Sequence, residues 1–423
     1  MVNYIKKELP SYNLHMIKTD KFKSTYIEVI FSDEIKKENI TWNNFLSSIL
    51  TYSTKKYNTK IKYARKMEDL YAASVFANVD RLGKMFNVDF NMRILNDKYT
   101  EKGLLKQAVD FLYEIIFNPN VENGEFDKTS FKVVKNNGKS QIERLKEDQR
   151  AYSTLKLFEL FDKDAPFSYN LKGYLEDLNN ITPKNLYEYY KEFIKCNKID
   201  IFIIGDIDFD ETEDIFAKSF EFDNKKDNTY DAIIEYKKHR KERQEVIEKD
   251  NTNQAKLNIA CTIEDITKFE KEYVLNIYNI IFGGSSDSKL FKNIREKYSL
   301  CYYAMSNANK LDNVLTISSG INKENYSKML ILLDKEMKDM REGKFSDEDL
   351  DNAIKYYLSA LDEIEDKPIA LLASYYAIAK FDVADLEERK KKIKTVTRED
   401  IMNLAKKIHI DTIFLLGGDK KWL

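Results

Sequence analysis

Residues 396–419 read VTREDIMNLAKKIHIDTIFLLGGD, and residues 181–206 read ITPKNLYEYYKEFIKCNKIDIFIIGD. Each has at its second position a Thr suited to a helix N-cap, continues at helical spacing, and ends on an apolar strand closed by glycine. Pro183 follows Thr182 at the first helical position, where its missing N–H costs nothing. The copies are offset by 215 positions at the caps (Thr182 and Thr397) and by 212 at the strands (Ile201 and Ile413). One short element can agree by chance, but a cap, a helix, a strand and a turn at nearly one offset mark a repeat. A second pair, Arg65–Leu70 and Arg295–Leu300, follows a helix–turn unit at equal spacing. The chain therefore reads as two homologous halves.

Working outward, residues 25–32, 86–94, 256–262 and 314–321 read as strands. Helical periodicity covers 42–52, 61–71, 104–117, 126–145, 269–281, 326–341 and 347–364. The polar stretch 223–231, DNKKDNTYD, has no periodicity, which places a linker at 223–237 between a first domain (1–222) and a second (238–423). The 423 residues carry 69 Lys+Arg against 71 Asp+Glu, a net charge of -2 that argues against a general nucleic-acid or membrane-surface binder. An apolar fraction of 43% supports sizeable cores rather than disorder. Three scattered cysteines, Cys196, Cys261 and Cys301, form neither a disulfide framework nor a metal motif. With no long apolar run, a soluble cytoplasmic protein is expected.

The stretch Gly283–Tyr302, GGSSDSKLFKNIREKYSLCY, carries L-F-x-x-I-R-E-K-x-x-L-x-Y behind a Gly-Gly turn. Together with the duplicated halves and their strand-Gly endings, it resembles the M16 (pitrilysin and insulinase) metallopeptidases over nearly the whole chain. The resemblance implies an α+β fold of two M16-type halves, each a mostly antiparallel sheet with helices packed on one face, closing toward a partner. It extends to a bacterial M16 homologue associated with aminopentanol modification of elongation factor P.

In that family the first half carries H-x-x-E-H on a helix. Two imidazoles four apart share a helix face and bind one Zn²⁺, while the Glu serves as general base for the metal-bound water. Here residues 43–57 read NNFLSSILTYSTKKY. Matching F-L with F-L puts Asn44 and Ser48 at the two His positions and Ser47 at the general base. The third ligand, a Glu on a later helix, falls near KSQIERLKED (139–148), at Gln141, with Glu143 close by. Amides and hydroxyls are poor Zn²⁺ ligands, and Ser47 cannot take the proton. The only histidines, His15, His239 and His409, are far apart in sequence and read as surface or packing residues. The chain is expected to hold no metal or cofactor and not to be a peptidase alone.

In paired-chain M16 members, one chain supplies H-x-x-E-H and the other an Arg and a Tyr seven positions apart. The resemblance puts these at Arg295 and Tyr302, whose guanidinium and phenol would hold a peptide carbonyl and its oxyanion. The expected function is that of a catalytically inactive subunit pairing with a zinc-bearing H-x-x-E-H subunit, binding extended peptide and donating Arg295 and Tyr302. The alternative is a non-proteolytic scaffold or peptide-binding protein. Other motifs stay plain: Gly283–Gly284 lacks the rest of a phosphate loop and reads as a turn. GDIDFDETED (205–214) has Glu211 where a calcium loop needs glycine, and EERKKKIK (387–394) reads as an exposed helix face.

Overall fold

The computed structural model describes residues 2–196, 198–222, 232–234, 239–250 and 254–417. The linker expected at 223–237 lies, except for 232–234, outside the described residues. Strands β1 (Asn3–Glu8), β2 (Asn13–Lys18), β3 (Ser24–Glu34), β4 (Ser74–Leu82) and β5 (Met85–Leu95) are followed by a small hairpin, β6 (Val121–Glu122) and β7 (Glu125–Phe126), and by β8 (Lys198–Gly205). The second series is β9 (Gln244–Glu248), β10 (Ala255–Ile263), β11 (Cys301–Asn309), β12 (Val314–Ile321) and β13 (Ile408–Leu416). The first sheet runs β1-β2-β8-β3-β5-β4 and the second β11-β12-β10-β13-β9. Reversed, the second order matches the first strand for strand, with β1 the one addition. In each sheet all pairings are antiparallel except one, β2 with β8 and β9 with β13. Even the repeat's register holds, since Ile201 pairs with Val29 and Ile413 with Ile259.

The runs at β8 and β13 explain how the sheets are covered. A strand wet on one face alternates, whereas Ile201-Phe-Ile-Ile204 and Ile413-Phe-Leu-Leu416 are apolar throughout and need cover on both faces. In the first unit the inner residues Ile27, Val29, Phe31, Ile201 and Ile203 are buried in one core with Phe45, Leu112 and Leu186 of the helices on that face. The other face of β8 is covered by helix Pro368–Phe381, whose Tyr376 ring lies 5.6 Å from Phe202. In the second unit Ile259, Ile413 and Leu415 share a core with Met329, Leu333 and Leu404. Its other face, Ala260, Val314, Phe414 and Leu416, is buried under Leu157 and Phe161 of helix Gln149–Phe161. The helices thus lie mainly on one face of each sheet, and one further helix covers the opposite face.

The compact units follow this exchange. One comprises Met1–Arg144, Asn170–Ala232 and Ile364–Ala377, the other Leu145–Tyr169, Ile233–Glu363 and Ile378–Leu423. Each sheet is covered in part by a helix that the chain order assigns to the other half.

The face of the first sheet under residues 364–377 is unusually polar. His15, only 1% exposed, is satisfied there by Tyr4 (2.7 Å) and Asp200 (3.2 Å). Burial pushes the Glu28 carboxyl up to about 7, and burial, then the charges of Glu28 and Asp80, raise that of Asp89. Because Glu28 holds its proton more tightly when folded, its contribution is complete below about pH 4.5 and is lost as pH rises toward about 7. Glu28→Gln is therefore expected to stabilise the protein by about 2 kcal/mol at pH 8 and to change nothing below about pH 4. Thermal unfolding of both proteins across that range checks it.

Candidate functional site

Helix Lys37–Leu50 places Asn44, Ser47 and Ser48 on consecutive turns, and helix Lys128–Glu143 brings Gln141 beside them. Asn44, Ser48 and Gln141 line one cavity of about 160 Å³, with Phe45, Tyr52 and Lys172. Ser47 does not line it. It is 4% exposed and its hydroxyl donates to the Asn44 carbonyl at 3.0 Å. Glu143 instead pairs with Lys139 at 3.8 Å.

Two of the polar groups of this cavity, Asn44 and Ser48, are already committed. The Asn44 amide donates to the carbonyls of Ile40 (2.9 Å) and Leu171 (2.7 Å), and the Ser48 hydroxyl to that of Asn44 (2.9 Å). The loop carrying Leu171 is pinned to the same helix, because Thr41 Oγ1 accepts the Tyr174 N–H at 2.9 Å and donates to Asp177 at 3.0 Å. Gly173, at φ 92, lets this happen: a Cβ there would sit 2.9 Å from Thr41 Oγ1. That loop also turns Lys172 into the cavity wall, a residue no spacing argument singles out.

In the second unit, Gly283 closes the helical turn Ile280–Gly284 and is not a loop residue. A Cβ on it would meet the Ser306 backbone nitrogen at 2.7 Å, so the glycine lets this helix touch β11. The expected turn is a close approach instead, and only Gly284 leads out of it. Gly283→Ala is expected to cost about 2 kcal/mol through overpacking, read as a lowered urea midpoint at unchanged m-value.

The next helical stretch, Leu290–Lys297, is π-type and buries Leu290 and Ile294. Arg295 points the other way, its guanidinium carbon 4.5 Å from the Phe291 ring centroid. Ser299, at φ 51, then turns the chain into β11. There the pairing with β12 slips: Cys301 faces Ile321 and Tyr303 faces Gly320, leaving Tyr302 as the extra residue of a bulge. Gly320 makes room for the Tyr303 ring, which stacks on Arg150 at 4.6 Å. Tyr302 is consequently 65% exposed, and among the described residues it has no hydrogen-bond or ring partner. Burial raises the Cys301 thiol, a shift opposed by its hydrogen bond with Ser319 and by the Arg295 charge, so Arg295 reaches electrostatically to the residue next to Tyr302.

Residues 180–357 match the family model described as "Peptidase M16 inactive domain". The chain is 29% identical, over 99% of its length and 98% of the relative's, to the "Probable inactive metalloprotease YmfF" of Bacillus subtilis (strain 168). Residues 180–357 are an M16 inactive-type domain, and the whole chain is similar to an inactive M16-type relative. A conserved protein from Enterococcus faecalis V583 shares 29% identity and a TM-score of 0.90, each chain covered to 99%. The fold is shared too by a peptidase M16 inactive domain from Pseudomonas fluorescens, at 16% identity and TM-score 0.81, over 99% of this chain and 98% of that one.

This likeness raises the question of zinc, and the cavity of the first unit does not fit the ion. Neutral amides and hydroxyls cannot supply the anionic or imidazole donors that zinc takes, and the Lys172 ammonium adds repulsion. The histidines are a different matter. His15 is a satisfied core residue, but His239 and His409, distant in sequence, stack at 4.2 Å between ring centroids. With Glu264 they form the one group of three potential metal ligands among the described residues. Nothing local in the sequence signals that contact, because it depends on where residue 239 meets β13. Among those residues no helix is long and apolar enough to cross a membrane.

Proposed function

We propose that this inactive M16 homologue pairs with a zinc-bearing H-x-x-E-H subunit and lends it Arg295 and Tyr302. The observation that supports the reading most is that, among the described residues, nothing holds the ends of these side chains by a hydrogen bond or ion pair. A guanidinium held only by stacking and a phenol set out from a bulge cost the folded chain little and are free for another molecule. In a partner's cleft they would hold the carbonyl of an extended peptide and the oxyanion it becomes. Peptide backbone would be held by addition to a sheet edge, with pockets giving selectivity. Zinc belongs to the partner in this scheme.

The test is hydrolysis of an unstructured quenched peptide library by this chain with zinc, alone and mixed with an H-x-x-E-H homologue from the same cell. Cleavage only in the mixture is the expected result. A stable complex without cleavage would support the scaffold reading, and chelator-sensitive cleavage by the pure chain would overturn both.

A further inference from the structure

A second concavity, of about 550 Å³ and wholly within the second unit, is walled by Arg240, Lys241, Arg243, Lys338 and Arg341, with Asp334 its one lining acid. His239 and His409 line it as well. We propose that this concavity binds a phosphate-bearing small molecule of about nucleotide size, held by Lys241, Lys338 and Arg341.

The partners of the five cations decide which are available. Arg240 is spent on the fold: it bonds Asp411, Thr412 Oγ1 at 2.8 Å and the carbonyls of Leu160 and Phe161. Arg243 is shared between Glu245 (2.9 Å) and Asp334 (3.1 Å). Arg341 gives Nε and Nη2 to the carbonyls of Ala405 (3.3 Å) and Ile408 (2.9 Å), which leaves Nη1 without a partner among the described residues. Lys338 meets only Glu342, at 3.7 Å, and Lys241 has no ion pair or hydrogen bond among those residues. Three cationic groups with spare donors on one concavity match a multiply charged phosphate. The volume falls within the usual small-ligand range of roughly 300–1,000 Å³.

A metal ion fits worse. His239 Nδ1 lies 2.7 Å from Glu264, and the imidazole planes are within 14° of parallel, so their in-plane lone pairs do not converge on one ion. The surrounding cations would also repel it. Burial, then His239 and Arg341, hold the His409 imidazole below its ordinary range, against the opposing pull of Glu264. A bound anion would lift it, and Asp334 and Asp411 nearby are the acids that compete with such an anion.

Calorimetric titration of the full chain with pyrophosphate and with ATP, at low and moderate salt, tests this. Saturable one-site binding is expected, weakened about tenfold or more by Lys241→Glu with Lys338→Glu, and weakened by salt. Both residues are exposed, and the one ion pair lost is the exposed Lys338–Glu342 contact, so the variant should stay folded and melt within a few degrees of the parent. Imidazole NMR should show His409 titrating at higher pH with ligand. Equal binding of both probes marks a phosphate site, and preference for ATP a nucleotide site. No saturable binding, or binding unchanged in the double variant, overturns the proposal. So does Zn²⁺ binding that His239→Ala abolishes while neither anion binds.

Discussion

With Arg295 replaced by Ala, a mixture of this chain and an H-x-x-E-H homologue is expected to hydrolyse peptide roughly 10²–10³-fold more slowly, the cost typical of losing one oxyanion donor. Tyr302→Phe should reduce turnover in the same direction, because it removes a single hydroxyl and keeps the ring. Neither change should disturb the fold. Among the described residues Arg295 gives its guanidinium only to the Phe291 ring, and Tyr302 is 65% exposed on its bulge. Surface substitutions of that kind cost within about 0.5 kcal/mol. Complex formation, followed by co-elution, should therefore persist while kcat falls. If kcat stays and KM rises, the pair binds peptide uniformly and does not favour the transition state. If both variants match the parent, the scaffold reading gains and the lending of these side chains is wrong.

The repeat was legible because it is written locally. Thr397 does form a capping box with Asp400, and the runs at β8 and β13 do occupy matching places in matching sheets. The cavity walls were legible for a related reason: Asn44 and Ser48 are one turn apart, and Gln141 lies on the helix across from them. What escaped depends on contacts between distant positions. The bulge at Tyr302 is a slip of pairing with β12, and no count along one strand records it. Lys172 enters the cavity wall because Gly173 and Thr41 fix a loop. The stacking of His239 on His409 needs the fold already made. The helices that cover the second faces escaped as well. An apolar run such as Ile201–Ile204 demands cover on both sides but does not say which helix supplies it.

The helix over the second sheet matters most for stability. Phe161 lies in the first half of the sequence, yet it is 2% exposed in the core formed with Ala260, Val314, Phe414 and Leu416. Phe161→Ala should cost about 3–5 kcal/mol, the usual sum of lost burial and an unfilled cavity. If the covering helix belongs with the second sheet, the damage should appear there. Hydrogen exchange should quicken in β10 and β13, whose Asn258 is also held from the same helix by Ser153 at 2.8 Å, while β3 and β8 keep their protection. Loss of protection first in β3 and β8 would mean the helix stabilises the sheet of its own half. Cutting the chain at residue 237 removes the same cover. A fragment 238–423 would leave Val314, Phe414 and Leu416 uncovered, because the helix that buries them ends at Phe161. It should be aggregation-prone alone and recover on mixing with fragment 1–237, which light scattering and circular dichroism would follow.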